Sequence, residues 1–216
     1  MASKTDNTIP TVTLRQWYIG NDDVGAFRQL AQRGDHRLTD GFLPEYYQEY
    51  SVYSWIMGMV DNMVYGNELH YAVDVDGKAV GCLNVSRCGG DYRHTGILRL
   101  ILLPEYCSKG IGTQAIGLLM RTIRRKYFDN DFVFEDSFER LEAQVVGDNK
   151  AAIRVLEKSG FDYEGTLRNA ICKHGKRYDM NMYGYVFRSH GFPDKDSMPE
   201  DRGERIQLMH EILNKI

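Results

Sequence analysis

The sequence predicts an α/β (α+β) fold, with a mixed, mostly antiparallel central sheet of about six to seven strands flanked by helices. Asp76-Gly77 separates Leu69–Val75 from Lys78–Val85, and such a pair between two apolar, alternating segments is a strong short-range hairpin signal. Phe161 to Cys172 and Arg177 to Phe187 flank a His174-Gly175 turn and read as a second, closing hairpin. Between the two hairpins, Leu100-Ile-Leu-Leu-Pro-Glu-Tyr-Cys-Ser-Lys-Gly-Ile-Gly-Thr113 reads as a buried strand that breaks into a glycine loop and opens a helix.

Taken in order, Met1 to Ile9 is polar, and residues 1–10 are read as a disordered N-terminus. Thr11-Val-Thr-Leu-Arg-Gln-Trp17 alternates as a strand does. Asp22 or Asp23 caps a helix carrying Val24, Phe27, Leu30 and Ala31, which stops at Gly34. A second helix has the register Val52, Ile56, Met59, Val60 and Met63, preceded by the aromatic segment from Gly41 to Tyr47. The helix after the glycine loop carries Ile116, Leu119, Met120, Ile123 and Tyr127, and ends in Arg124, Arg125 and Lys126, where positive charge suits the helix dipole. Arg140–Val146 alternates again and runs into Asp148-Asn149, a cap for a helix bearing Ala152, Val155 and Leu156 that Gly160 ends. One domain over residues 11–187 is expected, with residues 188–216 forming a linker and a short amphipathic helix of Ile206, Met209, Ile212 and Leu213.

Composition narrows the function classes. The chain has 216 residues, 43% hydrophobic and 26% charged, with net charge −3 and a pI near 6.1, which argues against nonspecific attachment to nucleic acid or anionic membrane and permits a cationic substrate. Cys82, Cys88, Cys107 and Cys172 contain no C-x-x-C pair and the six histidines are dispersed, so no metal site and no disulfide framework are expected. Neither a targeting leader nor a membrane span is read, and a cytoplasmic protein with reduced thiols is the expectation.

The glycine loop carries the chemistry. Gly110 and Gly112 lack Cβ atoms, so the backbone can turn sharply and admit an oxyanion to its N–H groups, while the following helix adds its first-turn donors and positive dipole end. A phosphate or pyrophosphate is the natural guest; an ordinary tight connection is the bland alternative. Gly110, Gly112 and Ala115 also satisfy G-x-G-x-x-A, but a dinucleotide-binding fold places that motif after its first strand in a repeated βαβ series. Here about 100 residues of helix and antiparallel sheet precede the loop and a hairpin closes the domain.

With both halves in view, Lys109-Gly-Ile-Gly-Thr113 and Asn149-Lys-Ala-Ala-Ile-Arg-Val-Leu-Glu-Lys-Ser-Gly-Phe161 resemble the two signature blocks of the GCN5-related N-acetyltransferases. Thr11–Trp17, Asp40-Gly-Phe-Leu-Pro44, Glu164-Gly-Thr-Leu-Arg168 and Asp179-Met-Asn-Met-Tyr183 resemble the branch of ribosomal-protein N-terminal acetyltransferases. The resemblance implies acetyl-CoA as cosubstrate. Its pyrophosphate would rest on the backbone of Ser108, Lys109, Gly110, Ile111, Gly112 and Thr113, its pantetheine arm would pair with Leu102 and Leu103, and Asn149 would bond that arm or cap its helix. Two positions depart from the family pattern. Cys107 stands where Gln or Arg is common, and Leu156 replaces the tyrosine often found as proton donor.

Acetyl transfer to an amine needs a neutral nitrogen, a stabiliser for the thioester oxygen and a proton for the departing sulfur. Glu142 is the candidate base, as the carboxylate inside the strand after the cofactor helix, with Glu105 as a weaker one; Tyr183 on the closing strand is the candidate acid. In the bland readings Glu142 pairs with a neighbouring arginine and Tyr183 is a core residue. Phe42, Tyr46 and Tyr47 are the candidate acceptor contacts, with Asp40, Glu45 and Glu49 able to attract a cationic amine. The expected activity is transfer of an acetyl group to a protein N-terminus or a small amine, by a monomer or homodimer. A noncatalytic acyl-CoA-binding or interaction module on the same fold is the alternative.

Overall fold

The computed structural model describes residues 10–17, 21–33, 68–128, 138–173, 175–187 and 201–213, with positions 54, 57, 58 and 199 in isolation. The predicted helix of Val52, Ile56, Met59, Val60 and Met63, and the acceptor candidates Phe42, Tyr46 and Tyr47, lie outside the described residues.

The elements are β1 (Val12–Arg15), α1 (Asn21–Arg33), β2 (Glu68–Val75), β3 (Lys78–Arg87), β4 (Thr95–Leu102), α2 (Ile111–Phe128), β5 (Arg140–Val146), α3 (Lys150–Lys158), β6 (Asp162–Lys173), β7 (Lys176–Val186) and α4 (Arg202–Leu213). Seven strands form one sheet in the order β1-β2-β3-β4-β5-β7-β6. All neighbours are antiparallel except β4 and β5, which are joined through the α2 crossover and run parallel. The fold expectation holds, including both hairpins. Asp76 and Gly77 take φ of 53° and 80°, the two positive values that a type I′ turn requires.

Alternation along the strands gives the sheet two differently built faces. On one, Leu83, Val85, Leu98, Leu141, Ala143 and Val145 meet Ile111, Ala115, Ile116, Leu119, Met120 and Ile123 of α2 and Leu156 of α3. The buried positions of α2 recur every three or four residues, so its apolar stripe covers this face. On the other, Val24, Phe27 and Leu30 of α1 pack on Ala72, Ala79, Cys82, Ile101 and Leu103, and Trp17 meets Phe27 edge-on with ring centroids 5.5 Å apart. A charged clamp ties α1 to the sheet edge. Arg15 donates to both oxygens of Asp23 at 2.7 Å and, through Nε, to Asp74 at 3.0 Å. Both carboxylates are buried, and Asp23, its foremost partner, holds the Arg15 guanidinium more firmly protonated than usual.

Among the described residues no helix is long and apolar enough to cross a membrane.

Candidate functional site

The site begins where the one parallel pair comes apart. The β4–β5 register ends at Leu98↔Ala143, although β4 continues to Leu102 and β5 to Val146, so the two strands splay toward their C-terminal ends. Main-chain polar groups alternate sides along a strand, and the Leu103 N–H donates to Val80 O at 2.9 Å on the β3 side. Leu102 and, two residues before it, Leu100 therefore turn their main-chain groups into the opening. Leu103, expected to pair with the pantetheine arm, is committed elsewhere: besides its bond to Val80, its carbonyl accepts the Tyr106 N–H at 2.9 Å. Strand alternation puts Leu100, and not Leu103, on the side of the opening with Leu102.

At the mouth of the opening the chain makes a short turn, Pro104–Tyr106, and enters α2 through Ser108 and Gly110 at φ of 59° and 76°. The first helical bond is Gln114 N–H to Gly110 O at 3.1 Å, which leaves the preceding amides for another partner. Among the described residues, no backbone hydrogen bond engages the N–H groups of Ser108, Lys109, Gly110, Ile111, Gly112 or Thr113. Six amides and the positive end of an 18-residue helix converge here. A Cβ on Gly112 would stand 3.4 Å from Leu100 and Val155, so this glycine brings the loop down onto the walls of the opening. The Lys109 ammonium lies 5.6 Å from the centre of the Tyr106 ring and adds a cation at the rim.

Across the opening stands Asn149 at the start of α3. Its Oδ1 accepts the Ala152 N–H at 3.1 Å, so the cap is formed, and its own N–H donates to Val146 O at 2.8 Å.

The candidate acid–base residues are less well placed. Glu142 projects from the face opposite Leu141 and Ala143, toward the α1 side, and accepts from Arg140 Nε at 3.2 Å. Arg140 forks onto both oxygens of Glu164 as well. Tyr183 is 4% exposed on the other face, its ring edge-on to Tyr163 and its hydroxyl 3.5 Å from Glu157 near the far end of α3. Burial, reinforced by Glu157, pushes the Tyr183 phenol up, so it stays protonated; its partner Glu157 lies eight residues, about 12 Å of helix rise, from Asn149. Glu105 is exposed and gripped by Arg33 at 3.0 and 3.1 Å.

Comparison with known proteins decides the family. The model of the acetyltransferase (GNAT) family matches residues 35–161, more than half of the chain. The chain belongs to the GNAT family. Among curated relatives, the N-acetyltransferase YoaA of Bacillus subtilis (strain 168) is 30% identical over 86 residues, 39% of this chain and 43% of YoaA. The prophage-derived N-acetyltransferase YokL of the same organism is 28% identical over 113 residues, 52% of this chain and 58% of YokL. The chain spans about half the length of the curated relatives it matches. Among solved structures, a RimL ribosomal L7/L12 α-N-protein acetyltransferase in complex with coenzyme A superposes with a TM-score of 0.67 at 20% identity, covering 82% of this chain and 97% of that one. Mycobacterium smegmatis RimJ, in complex with CoA-disulfide, gives 0.63 at 18% identity over 92% and 89%. These two likenesses carry the GNAT fold.

Within this GNAT domain, one polar cluster escaped sequence reasoning. Glu68 and His70 of β2, Asn84 and Ser86 of β3 and Arg99 of β4 share the α1 face, in the register Glu68↔Ser86, His70↔Asn84 and Asn84↔Arg99. His70 Nε2 lies 2.5 Å from Glu68 Oε2, Ser86 Oγ is 3.1 Å from Glu68 Oε1, and Arg99 donates to Ser86 Oγ at 3.3 Å. A signal existed: Glu68-x-His70 and Asn84-x-Ser86 are polar residues at period two in otherwise apolar strands, hence on one face of each. Nothing local revealed that the two pairs face each other.

Proposed function

We propose that this chain is an acetyl-CoA-dependent N-acetyltransferase that transfers an acetyl group to a primary amine, either a protein N-terminus or a small amine, by direct attack on the thioester. The observation that carries this reading is the set of uncommitted amides from Ser108 to Thr113 at the N-terminus of α2, beside the unpaired edges of β4 and β5. The residues present fit the cosubstrate. The amides and Lys109 would hold the pyrophosphate, and Leu100 and Leu102 would pair with the amide-bearing pantetheine arm as a further strand would. Asn149 closes the opposite wall and preserves the helix end that faces the arm. Acetyl-CoA supplies an already activated acyl group, so orientation of the amine contributes much of the rate.

Isothermal titration tests the donor half: CoA and acetyl-CoA bind at micromolar to low millimolar concentration, and absence of heat with both refutes the reading. The acceptor is then sought by release of the CoA thiol with peptides bearing free N-termini, spermidine and kanamycin. Binding without release from any amine would favour the noncatalytic module.

A further inference from the structure

Resting on the acetyltransferase reading above, we infer that the side-chain amide of Gln144 on β5 recognises the acyl group of the donor, by donating a hydrogen bond to the thioester carbonyl.

Register fixes the place. The last β4–β5 rung is Leu98↔Ala143, so Arg99 and Gln144 are the first residues on either side of the opening. Leu141, Ala143 and Val145 pack on the face covered by α2 and α3, and strand alternation puts Gln144 on the opposite, α1 face. Arg99 shares that face, since it is paired with Asn84 while its neighbour Leu98 belongs to the other one. The floor of the opening is therefore bounded on the α1 face by Arg99 from one strand and Gln144 from the other.

Depth brings the reactive end of the donor to this floor. Above the last rung, β4 contributes Arg99, Leu100, Ile101 and Leu102 to the wall of the opening. At the usual strand rise this is about 13 Å. A pantetheine arm has about twelve bonds from its phosphate oxygen to its sulfur, the backbone length of about four residues. An arm whose phosphate rests on the amides at the mouth thus extends as far as the floor.

Chemistry then selects among the side chains present. A thioester carbonyl only accepts hydrogen bonds, so its partner must be a donor. Arg99 is a donor, but it is engaged with Ser86 Oγ at 3.3 Å. Glu142 lies below the parting, in register with Ile97, and its carboxylate is an acceptor bonded to Arg140. Gln144 is half-buried, and its carboxamide makes no hydrogen bond to any of the described residues. Its partner across the ladder is Met182 of β7, whose thioether is at most a weak acceptor. A carboxamide left unsatisfied within the domain is a donor available to a ligand, and being neutral it donates without a protonation step. CoA presents a thiol at the same floor and no carbonyl. Gln144 therefore adds affinity for the loaded donor and none for the spent one, which favours exchange of CoA for acetyl-CoA.

Isothermal titration of wild type, Gln144→Met and Gln144→Glu with acetyl-CoA, CoA and S-ethyl-CoA tests this. S-ethyl-CoA matches the acetyl thioester in chain length but lacks its carbonyl oxygen. Methionine keeps the length of glutamine without the donor, whereas an ionised glutamate can only accept. The expected result is acetyl-CoA bound about threefold to tenfold more weakly by both variants, with CoA and S-ethyl-CoA within about twofold of wild type. Infrared spectra of carbon-13-labelled acetyl-CoA give a second readout: the carbonyl stretch falls on binding to wild type and is restored in both variants. An equal loss for all three ligands overturns the proposal and marks Gln144 as a residue that only shapes the opening. Unchanged affinity for acetyl-CoA, or a carbonyl stretch that neither substitution moves, overturns it as well. A wild type that binds none of the three instead removes the acetyltransferase reading itself.

Discussion

The rim at the N-terminus of α2 and the polar row on the α1 face are built from different materials. The rim is main chain: six amides, two glycines and a helix end, all within a short stretch of sequence. The α1 face is side chain: five polar groups from β2, β3 and β4, aligned only by sheet register. A backbone cradle recognises a group common to many reactions and tolerates substitution of side chains where the backbone conformation is kept. A side-chain row is specific and depends on every strand being in place. The two sides should therefore fail differently when mutated.

The largest expected effect separates them through stability. Arg15→Met removes the cation that clamps Asp23 and Asp74, two buried carboxylates that anchor α1 on its face of the sheet. Leaving buried charge unpaired costs about 3 kcal/mol here, a loss of roughly 6–12 °C in Tm for a domain of this size. Calorimetry checks the drop, and titration at a temperature where the variant is folded should return the wild-type Kd for CoA. A weakened Kd would mean that the two sides are coupled through α1.

Gly110→Val attacks the other side. At φ of 76° a β-branched residue is strongly disfavoured, although no neighbour lies within 4 Å of the new Cβ. The strain falls on the loop and not on packing, so the amides turn away while the core persists. CoA binding should weaken by more than tenfold, about 1.4 kcal/mol or more, with only a small change in Tm. Retention of affinity within twofold would show that the cradle does not depend on this turn.

The same contrast explains what the sequence made legible. Asp76-Gly77, the α2 register of Ile116, Leu119 and Ile123, and Asn149 ahead of α3 are local signals, each decided by a few neighbouring residues, and the structure contains each one. Strand extent and orientation are nonlocal. The strand expected from Leu100 begins at Thr95, because its first half gains partners on both β3 and β5. Whether Leu100 or Leu103 faces the opening follows from which residue meets Val80, a fact of pairing that alternation within one strand does not contain. Glu142 was visible as a carboxylate in a strand, but its companions Arg140 and Glu164 meet only after β6 and β7 fold back on β5. The Glu68–His70 pair was hidden in the same way, since its supports come from the next strand.

Asn149 lies between the two cases and offers the smallest and most discriminating effect. As a helix cap, its Oδ1 on the Ala152 N–H accounts for about 1 kcal/mol, so Asn149→Ala should lower Tm by roughly 2–4 °C. Asn149→Asp retains an acceptor oxygen for the cap and removes the amide donor that a pantetheine carbonyl would need. If the residue only ends the helix, the aspartate variant keeps both Tm and CoA affinity. If it also holds the arm, the aspartate variant keeps its Tm and loses several-fold in affinity, a split that no effect on folding alone produces. The second outcome is the expected one, because Asn149 stands at the wall of the opening between β4 and β5, where a cap and a ligand contact draw on different atoms of one side chain.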